Sequence, residues 1–138
     1  MRIEPFVVAV GTLAVMVFLD YIWLGVLARR YYRKTLSRVI AFEVRWLPAF
    51  AFYLLHTLGL LWFVILPGAA DPDAGIGRIL LQGASFGLFT YGTYDLTNMA
   101  TIRNWPLSLT IVDILWGMLV SALSAAIGLG IMHLLGSA

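Results

Sequence analysis

Long apolar runs separated by short polar connections make up most of this chain. Four of the runs reach the length of about 20 mainly apolar residues that a helix needs to cross a bilayer. They cover residues 6–27, 46–66, 79–98 and 106–135. Since a membrane span must satisfy its backbone hydrogen bonds internally, each run predicts a helix. We therefore expect an all-α, polytopic membrane protein, in which a bundle of four transmembrane helices forms a single domain over residues 1–138.

The composition agrees with a membrane protein. Of the 138 residues, 62% are hydrophobic and 12% are charged, and the mean hydropathy is +0.93. A soluble domain is about half apolar and about a quarter charged. The net charge is only +2 and is concentrated beside the predicted spans, so we expect no nucleic-acid partner. The absence of cysteine excludes disulfide bonds and thiolate metal ligands.

Positive charge is concentrated in the basic interfacial segment 28–45, and this predicts the orientation of the chain. The only acidic residue of this segment is Glu43. Its cationic residues are Arg29, Arg30, Arg33, Lys34, Arg38 and Arg45. Connections rich in Lys and Arg stay in the cytoplasm. We therefore expect a multi-pass protein of a bacterial inner membrane with both termini on the periplasmic side.

The same segment also predicts a short amphipathic helix on the cytoplasmic membrane surface. Its apolar side is formed by Tyr32, Leu36, Val39 and Ile40. A solvated basic loop is the alternative interpretation.

Three aspartates, Asp20, Asp95 and Asp113, lie inside the apolar runs. A carboxylate at the centre of a span costs about 2.5 to 3.5 kcal/mol on insertion scales, so it usually faces a partner, a cavity or a substrate. Counted from the nearest cytoplasmic arginine, these residues and His56 lie at depths of about 12 to 17 Å, at a rise of about 1.5 Å per residue. Each predicted helix therefore contributes one ionisable group to one layer. Asp95 lies either in the bilayer or at its cytoplasmic rim, depending on the residue at which the turn near Arg103 begins.

Small residues accompany the aspartates at helical spacing. In the third run Gly83, Gly87, Tyr91 and Asp95 recur every four residues, and in the fourth run Asp113 begins a comparable stripe of small and polar residues. Small residues let membrane helices approach closely, so these faces are predicted to point inward. The alternative is that the Gly83–Gly87 pair drives formation of a homo-oligomer.

We assign the three aspartates as candidate catalytic groups. Grouped carboxylates do not all ionise, so one can act as a general acid while another stays charged as a base. Candidate substrate-binding side chains near the layer are Tyr91, Tyr94, Asn98, Trp23, Trp116 and His56. Aromatic rings at this level, which include Tyr21 and Tyr53, can also stabilise a positively charged centre. His56 has a structural alternative, as a hydrogen-bond partner of a neighbouring helix, and Thr97 and Thr101 can bond back to backbone carbonyls.

Three kinds of activity are compatible with such a layer. The first is binding or modification of a membrane lipid, which predicts an apolar cavity that reaches the aspartates. The second is transport coupled to protons or cations, which predicts a polar path and, in so small a bundle, an oligomer. The third is a non-catalytic accessory subunit of a lipid enzyme, which predicts aspartates with all their hydrogen bonds satisfied. A divalent metal held by the aspartates and His56 is a further alternative, and no cofactor is indicated.

Several sequence motifs resemble those of a family of small bacterial inner-membrane proteins of unknown function. The motifs are FLDYIWLG at 18–25, TYGTYDLTNMAT at 90–101, the Trp-Pro pair at 105–106 and VDILWG at 112–117. The resemblance implies a four-helix membrane protein and supplies no activity. It implies a link to lipid metabolism, since members of the family often lie beside genes for cyclopropane fatty-acid synthase and related lipid modification. Membrane lipid is therefore the expected partner.

Overall fold

The computed structural model describes residues 4–37 and 45–136, and these residues are mostly helical. The α-helices are α1 (Glu4–Ile22), α2 (Arg29–Thr35), α3 (Trp46–Leu60), α4 (Leu66–Ala70), α5 (Ile76–Thr101) and α6 (Leu107–Gly136). A π-helical turn, Trp23–Leu27, extends α1, and a second π-helical turn, Leu61–Ile65, joins α3 to α4. The prediction of an all-α fold is confirmed.

Three of the helical units are long and apolar enough to cross a membrane: Glu4–Leu27, Trp46–Ala70 and Leu107–Gly136. Helix α5 has 26 residues but does not reach the hydropathy of these three units. The reason lies in its second half, from Thr90 onward, where hydroxyl groups and glycine replace aliphatic side chains. The structure therefore supports three of the four predicted spans by length and composition.

The second unit continues beyond its predicted end at residue 66, as far as Ala70. Pro67 has no N–H to donate and would weaken an ordinary α-helix. Here the wider π-helical turn Leu61–Ile65 comes immediately before it, and Pro67 lies in the first turn of α4. The helix thus changes its hydrogen-bond pattern just before the proline instead of ending there.

Helix α6 lies at the centre of the molecule, since α5 and α1 both pack along it. Helix α5 runs antiparallel to α6 with almost no space between the two backbones. A Cβ atom added at Gly83 would lie 2.8 Å from Ala122 Cα, and one at Gly87 would overlap the carbonyl of Gly117. The Gly83–Gly87 face is therefore covered by α6 within one chain and is not open to a second copy, whereas a homo-oligomer formed through another face stays a prediction.

The apolar core and the aspartates occupy opposite ends of the bundle. The core includes Val8, Leu60, Ile65, Ile79 and Leu129, each of them at most 4% exposed. At the other end a smaller cluster contains Ala28, Tyr32 and Leu109. This second end also contains the turn between α5 and α6, where Asn104 adopts a left-handed conformation with φ 61°. Asparagine tolerates this conformation better than most residues, which allows the tight hairpin that the sequence predicts.

The connection before α5 is held by a polar turn. Asp71 Oδ1 accepts a hydrogen bond from the backbone N–H of Asp73 at 3.0 Å, and Asp71 Oδ2 pairs with Arg78. These contacts, first the backbone donor and then the guanidinium, hold the pKa of Asp71 below its usual value. The turn is exposed, so the pair acts locally on the loop rather than on the bundle.

Only part of the basic segment 28–45 falls within the described residues. In α2 Tyr32 is buried while Arg30, Arg33 and Lys34 are exposed, which agrees with one apolar and one cationic side. The predicted contributions of Arg38, Val39 and Ile40 lie outside the described residues. The surface helix as a whole therefore stays a prediction.

Candidate functional site

Asp20 connects three helices through its two carboxylate oxygens. It lies near the end of α1 and is 5% exposed. Its Oδ2 accepts a hydrogen bond from the hydroxyl of Tyr53 in α3 at 2.8 Å, and its Oδ1 accepts one from Nε1 of Trp116 in α6 at 2.7 Å. Both oxygens are thus occupied by donors from other helices. This arrangement is that of a structural anchor for the bundle.

Two tryptophans link the Asp20 anchor to the surface segment. The rings of Trp23 and Trp116 are stacked, with centroids 4.6 Å apart and planes inclined by 6°. Trp23 Nε1 donates a hydrogen bond to the hydroxyl of Tyr32 at 3.3 Å. Trp23 also begins the π-helical turn at the end of α1, and such turns are frequent at functional sites.

Tyr32 closes the site from the surface segment. Its hydroxyl donates a short hydrogen bond to Oδ1 of Asp113, 81 positions further along the chain. In the described residues Asp113 Oδ2 has no hydrogen-bond donor, so Asp113 is held by one oxygen only. Asp20 and Asp113 are joined through Trp116, Trp23 and Tyr32, and Asp95 lies in α5, which packs against the helix of Asp113. We call these three aspartates the carboxylate row.

Asp95 differs from the other two aspartates. It is 0% exposed, and neither of its oxygens has a hydrogen-bond partner anywhere in residues 4–37 and 45–136. It lies in α5 within electrostatic range of Asp113 and of the Tyr32 hydroxyl. A buried carboxylate without partners costs folding free energy. Asp95 is therefore the group in this row with unused binding capacity.

Tyr91 and His56 lie next to the row rather than in it. The ring of Tyr91 lies over Gly117, where a side chain would overlap it, and its hydroxyl interacts electrostatically with Asp20 and Asp113. His56 is 4% exposed, and its Nε2 is 2.9 Å from the Ser121 hydroxyl of α6. Aromatic rings surround the imidazole. The structural alternative for His56, a hydrogen bond to a neighbouring helix, is what the structure contains.

Tyr94 and Asn98 are not brought to the carboxylates. The side chain of Tyr94 is 58% exposed and meets the ring of Trp105 edge-on at 6.4 Å. Adjacent residues of an α-helix point about 100° apart, so the burial of Asp95 turns Tyr94 away. Asn98 lies one turn nearer the hairpin and donates no side-chain hydrogen bond to an aspartate within the part of the chain that is described. These two predicted substrate-binding residues therefore make no contact with the aspartates within the described residues.

Two other tyrosines, Tyr53 and Tyr32, supply hydrogen bonds to the aspartates. Tyr53 bonds Asp20 and Tyr32 bonds Asp113, whereas the sequence pattern placed Tyr53 only among the aromatic residues of the layer and Tyr32 on the apolar side of the surface helix. The spacing contains a signal for Tyr53, because it precedes His56 by three positions and so shares its helix face. Tyr32 could not be found in this way, since its bond depends on how the surface segment folds back.

The hydroxyls of the α5 threonines behave as predicted. Thr97 and Thr101 donate to the backbone carbonyls four positions earlier, at 2.7 and 2.8 Å, and Thr93 does the same at 2.6 Å. Their polar groups are thus satisfied within the helix. These threonines do not take part in the candidate site.

A metal site is not formed by the described residues, because no three His, Asp or Glu side chains among them converge. Two surface clefts among the described residues do not reach the carboxylate row either. One, of about 500 Å³, lies at the opposite end between Glu4, Leu66 and His133. The other, of about 570 Å³, lies on the outer apolar face of α1. The apolar cavity expected for a lipid-modifying site is thus not formed by either cleft.

The fold and the site together define a helical membrane protein with buried carboxylates at one end of its bundle. A family model matches residues 6–130, and the chain belongs to that family, described as predicted membrane protein (DUF2177), whose function is unknown. This confirms the family resemblance in the sequence motifs. Comparison with curated proteins and with solved structures gave no match.

Proposed function

We propose that this protein binds membrane lipid, as a lipid-modifying or lipid-binding protein, and that Asp95 is the side chain that meets the lipid. The observation that carries the proposal is the pair of unpartnered oxygens on a fully buried aspartate. An intramembrane carboxylate is expensive to keep, and Asp95 contributes no hydrogen bond to the fold among the described residues. A buried carboxylate at this position is explained if Asp95 binds or acts on a ligand.

The surroundings of Asp95 favour access from the membrane. Its neighbours in α5, Tyr94 and Leu96, are 58% and 52% exposed. The carboxylate thus lies on the inner face of a helix whose outer face is open to the membrane. A lipid that lies against α5 would reach Asp95 once the side chains that cover the carboxylate change conformation.

The three aspartates take different roles in this proposal. Asp20 holds α1, α3 and α6 together through Tyr53 and Trp116. Asp113 positions Tyr32 over the site and keeps one oxygen free. Asp95 remains for acid–base chemistry or for binding, because it has no structural bond to break among the described residues. An accessory protein with no active site would be expected to satisfy all three.

Lipid profiles of cells test the proposal. Cells that lack the protein would be complemented with the wild type, with Asp95→Asn or with Asp71→Asn, which changes a carboxylate in the exposed turn far from the site. We expect Asp95→Asn to reproduce the lipid profile of cells without the protein, and Asp71→Asn to restore the wild-type profile. Equal profiles in all strains would reject a role in lipid modification.

A second function, proton- or cation-coupled transport by an oligomer, is favoured by one separate observation. Buried polar side chains continue from the carboxylate row towards the opposite end of the bundle: His56, Thr57, Ser121, Ser124 and Thr12. The hydroxyls of Thr12, Thr57 and Ser124 have no hydrogen-bond partner among the described residues. Such a series could relay a proton. Purified protein in liposomes would then dissipate a pH gradient, and Ser124→Ala would slow the flux.

The proposed topology places α5 across the membrane as the fourth helix of the bundle. In support, α5 is antiparallel to α6, and its 26 residues give a length of about 39 Å at about 1.5 Å per residue. The basic segment 28–45 and the hairpin at Arg103 then face the cytoplasm of a bacterial cell, and both termini lie on the periplasmic side of the inner membrane. The α2 segment lies along the cytoplasmic surface as an amphipathic helix.

A further inference from the structure

The carboxylate pair Asp95–Asp113 has more acceptors than the described residues use. Both oxygens of Asp95 are without partners, and Asp113 binds Tyr32 through Oδ1 alone. Three carboxylate oxygens are therefore without donors among the described residues, two on α5 and one on α6, the helix that packs against it. Within the described chain the ion pair found is that of Arg78 with Asp71, so no cation of the protein neutralises this pair there.

The chemistry of these acceptors selects the kind of ligand. A divalent metal would need more ligands in one place than the described residues bring together. A primary ammonium group carries three N–H donors and no acceptor, which matches three free carboxylate oxygens. The ring of Tyr91 borders the row, and the face of an aromatic ring attracts a cation.

Helix α2, which contacts Asp113 through Tyr32, carries positive charge. Tyr32, which contacts Asp113, lies in α2 between Arg29, Arg30, Arg33 and Lys34. All four of these cationic side chains are exposed, and none has an ion-pair partner among the described residues. Arginine and lysine are the usual donors to phosphate oxygens. Tyr32 thus joins α2, which carries donors for a phosphate group, to the carboxylates, which are acceptors for an ammonium group.

We propose that the Asp95–Asp113 pair, together with the cationic side of α2, binds a phospholipid headgroup that contains a primary amine, the ammonium to the carboxylates and the phosphate to the arginines. The inference rests on the proposed lipid function and names its substrate class. Tyr32 acts as a cover that must move for the ammonium to reach Asp95. A free primary amine from the cytoplasm has the same chemistry, and the test separates the two sources.

The test uses the full-length protein in nanodiscs of defined composition and measures the lipid that stays bound after transfer to detergent. We expect phosphatidylethanolamine to be retained at least tenfold over phosphatidylcholine, whose quaternary nitrogen has no N–H donor, and over phosphatidylglycerol, which has no amine. Asp95→Asn and Asp113→Asn should abolish this preference, and Asp71→Asn should leave it unchanged. Ethanolamine in millimolar excess should not displace the lipid, because it lacks the phosphate.

Three results would overturn the inference. The first is equal retention of the three lipids by the wild type, which needs no variant and so does not depend on whether a variant folds. The second is a preference that survives in folded Asp95→Asn protein. The third is displacement of the lipid by ethanolamine at low concentration, which would assign the site to a soluble amine. Selective retention with an unchanged cellular lipid profile would support the site while removing lipid modification from the proposed function.

Discussion

At the scale of single residues, Asp20 and Asp95 differ in what surrounds their oxygens. Asp20 accepts hydrogen bonds from a tyrosine and a tryptophan of two other helices. Asp95 is at least as deeply buried but accepts none within the described residues. Removing an acceptor that has donors lowers the free energy of unfolding. Removing a buried acceptor that has no donor raises it. The two aspartates should therefore respond to substitution with opposite signs.

For Asp20 the size of the effect depends on which donors are left unpaired. Asp20→Asn can turn its carbonyl oxygen to Trp116 Nε1 and its amide to the Tyr53 oxygen, so we expect a loss of about 1 kcal/mol. Asp20→Leu leaves both donors unpaired, and each costs about 1 to 3 kcal/mol. Chemical unfolding in detergent, followed by circular dichroism, would measure the difference. Equal losses for the two variants would contradict the anchor role.

For Asp95 the expected change is stabilising. Asp95→Leu keeps the number and branching of the side-chain heavy atoms and removes a buried group without partners, a gain of about 1 to 3 kcal/mol. Its bulkier methyl groups offset part of that gain by overpacking, so we expect a net rise in the free energy of unfolding of about 1 kcal/mol, together with loss of function. The same unfolding experiment applies, with Asp71→Asn as a control that should be neutral. A clear loss of stability would mean that the Asp95 carboxylate supports the fold.

The sequence shows which side chains are candidates for the site. It shows less readily which of them contact one another in the fold. The spacing of glycines correctly places Asp95 and Asp113 on inner faces. It does not separate Tyr94 from Asp95, since both are polar and adjacent, and only helix rotation decides that one is exposed and the other buried. Tyr32 depends on a long-range contact with Asp113, which no local pattern contains.

At the scale of elements, the close pairing of α5 with α6 depends on two glycines. A Cβ at Gly83 would lie 2.8 Å from Ala122 Cα and 2.9 Å from the carbonyl oxygen of Ser121. Since these obstacles are backbone atoms, they cannot rotate away as a flexible side chain could. The first half of α5 is therefore held against α6 by close backbone packing. The low hydropathy of α5 comes from its second half, from Thr90 onward.

Alanine substitutions should reveal this dependence. Gly87→Ala forces α5 away from α6, and we expect a loss of about 1 to 3 kcal/mol, the usual range for overpacking. Gly77→Ala in α5 and Gly130→Ala in α6 are matched controls, because an added Cβ meets nothing within 4 Å at either position. These controls should gain up to about 1 kcal/mol from the better helix propensity of alanine. Similar effects at Gly87 and Gly77 would contradict close backbone packing.

At the scale of the whole molecule, the proposed topology assigns each connection to one side of the membrane. The chain has no cysteine, so single cysteines can report accessibility without a background. Ser37 belongs to the basic segment, Asp73 to the turn before α5 and Arg103 to the hairpin after it. The side on which Asp73 and Arg103 lie decides whether α5 crosses the bilayer.

Labelling of whole cells with a membrane-impermeant maleimide provides the measurement. We expect Asp73→Cys to react in intact cells, and Ser37→Cys and Arg103→Cys to react only after the inner membrane is opened. Reaction of both Asp73→Cys and Arg103→Cys in intact cells would show that α5 does not span. Ser37→Cys serves as the internal reference for the cytoplasmic side.

The overall class of the molecule follows from its apolar runs, because helices in lipid must satisfy their own backbone. The four motifs at 18–25, 90–101, 105–106 and 112–117 together predict the family, and the family model over residues 6–130 confirms it. The arrangement of the helices does not follow in the same way, since several faces of α1, α5 and α6 carry small residues. Helix α6 packs against α5 and α1 through side chains spread along its 30 residues. No single motif therefore predicts this arrangement.

The central place of α6 sets the order in which the protein can be assembled during synthesis. Trp116, Asp113 and Ser121 belong to α6, which follows α1 to α5 in the chain and so leaves the ribosome after them. Until α6 is inserted, Asp20 lacks its bond from Trp116, Tyr32 lacks Asp113 and His56 lacks Ser121. A nascent chain truncated before α6 would thus present unsatisfied polar groups to the lipid.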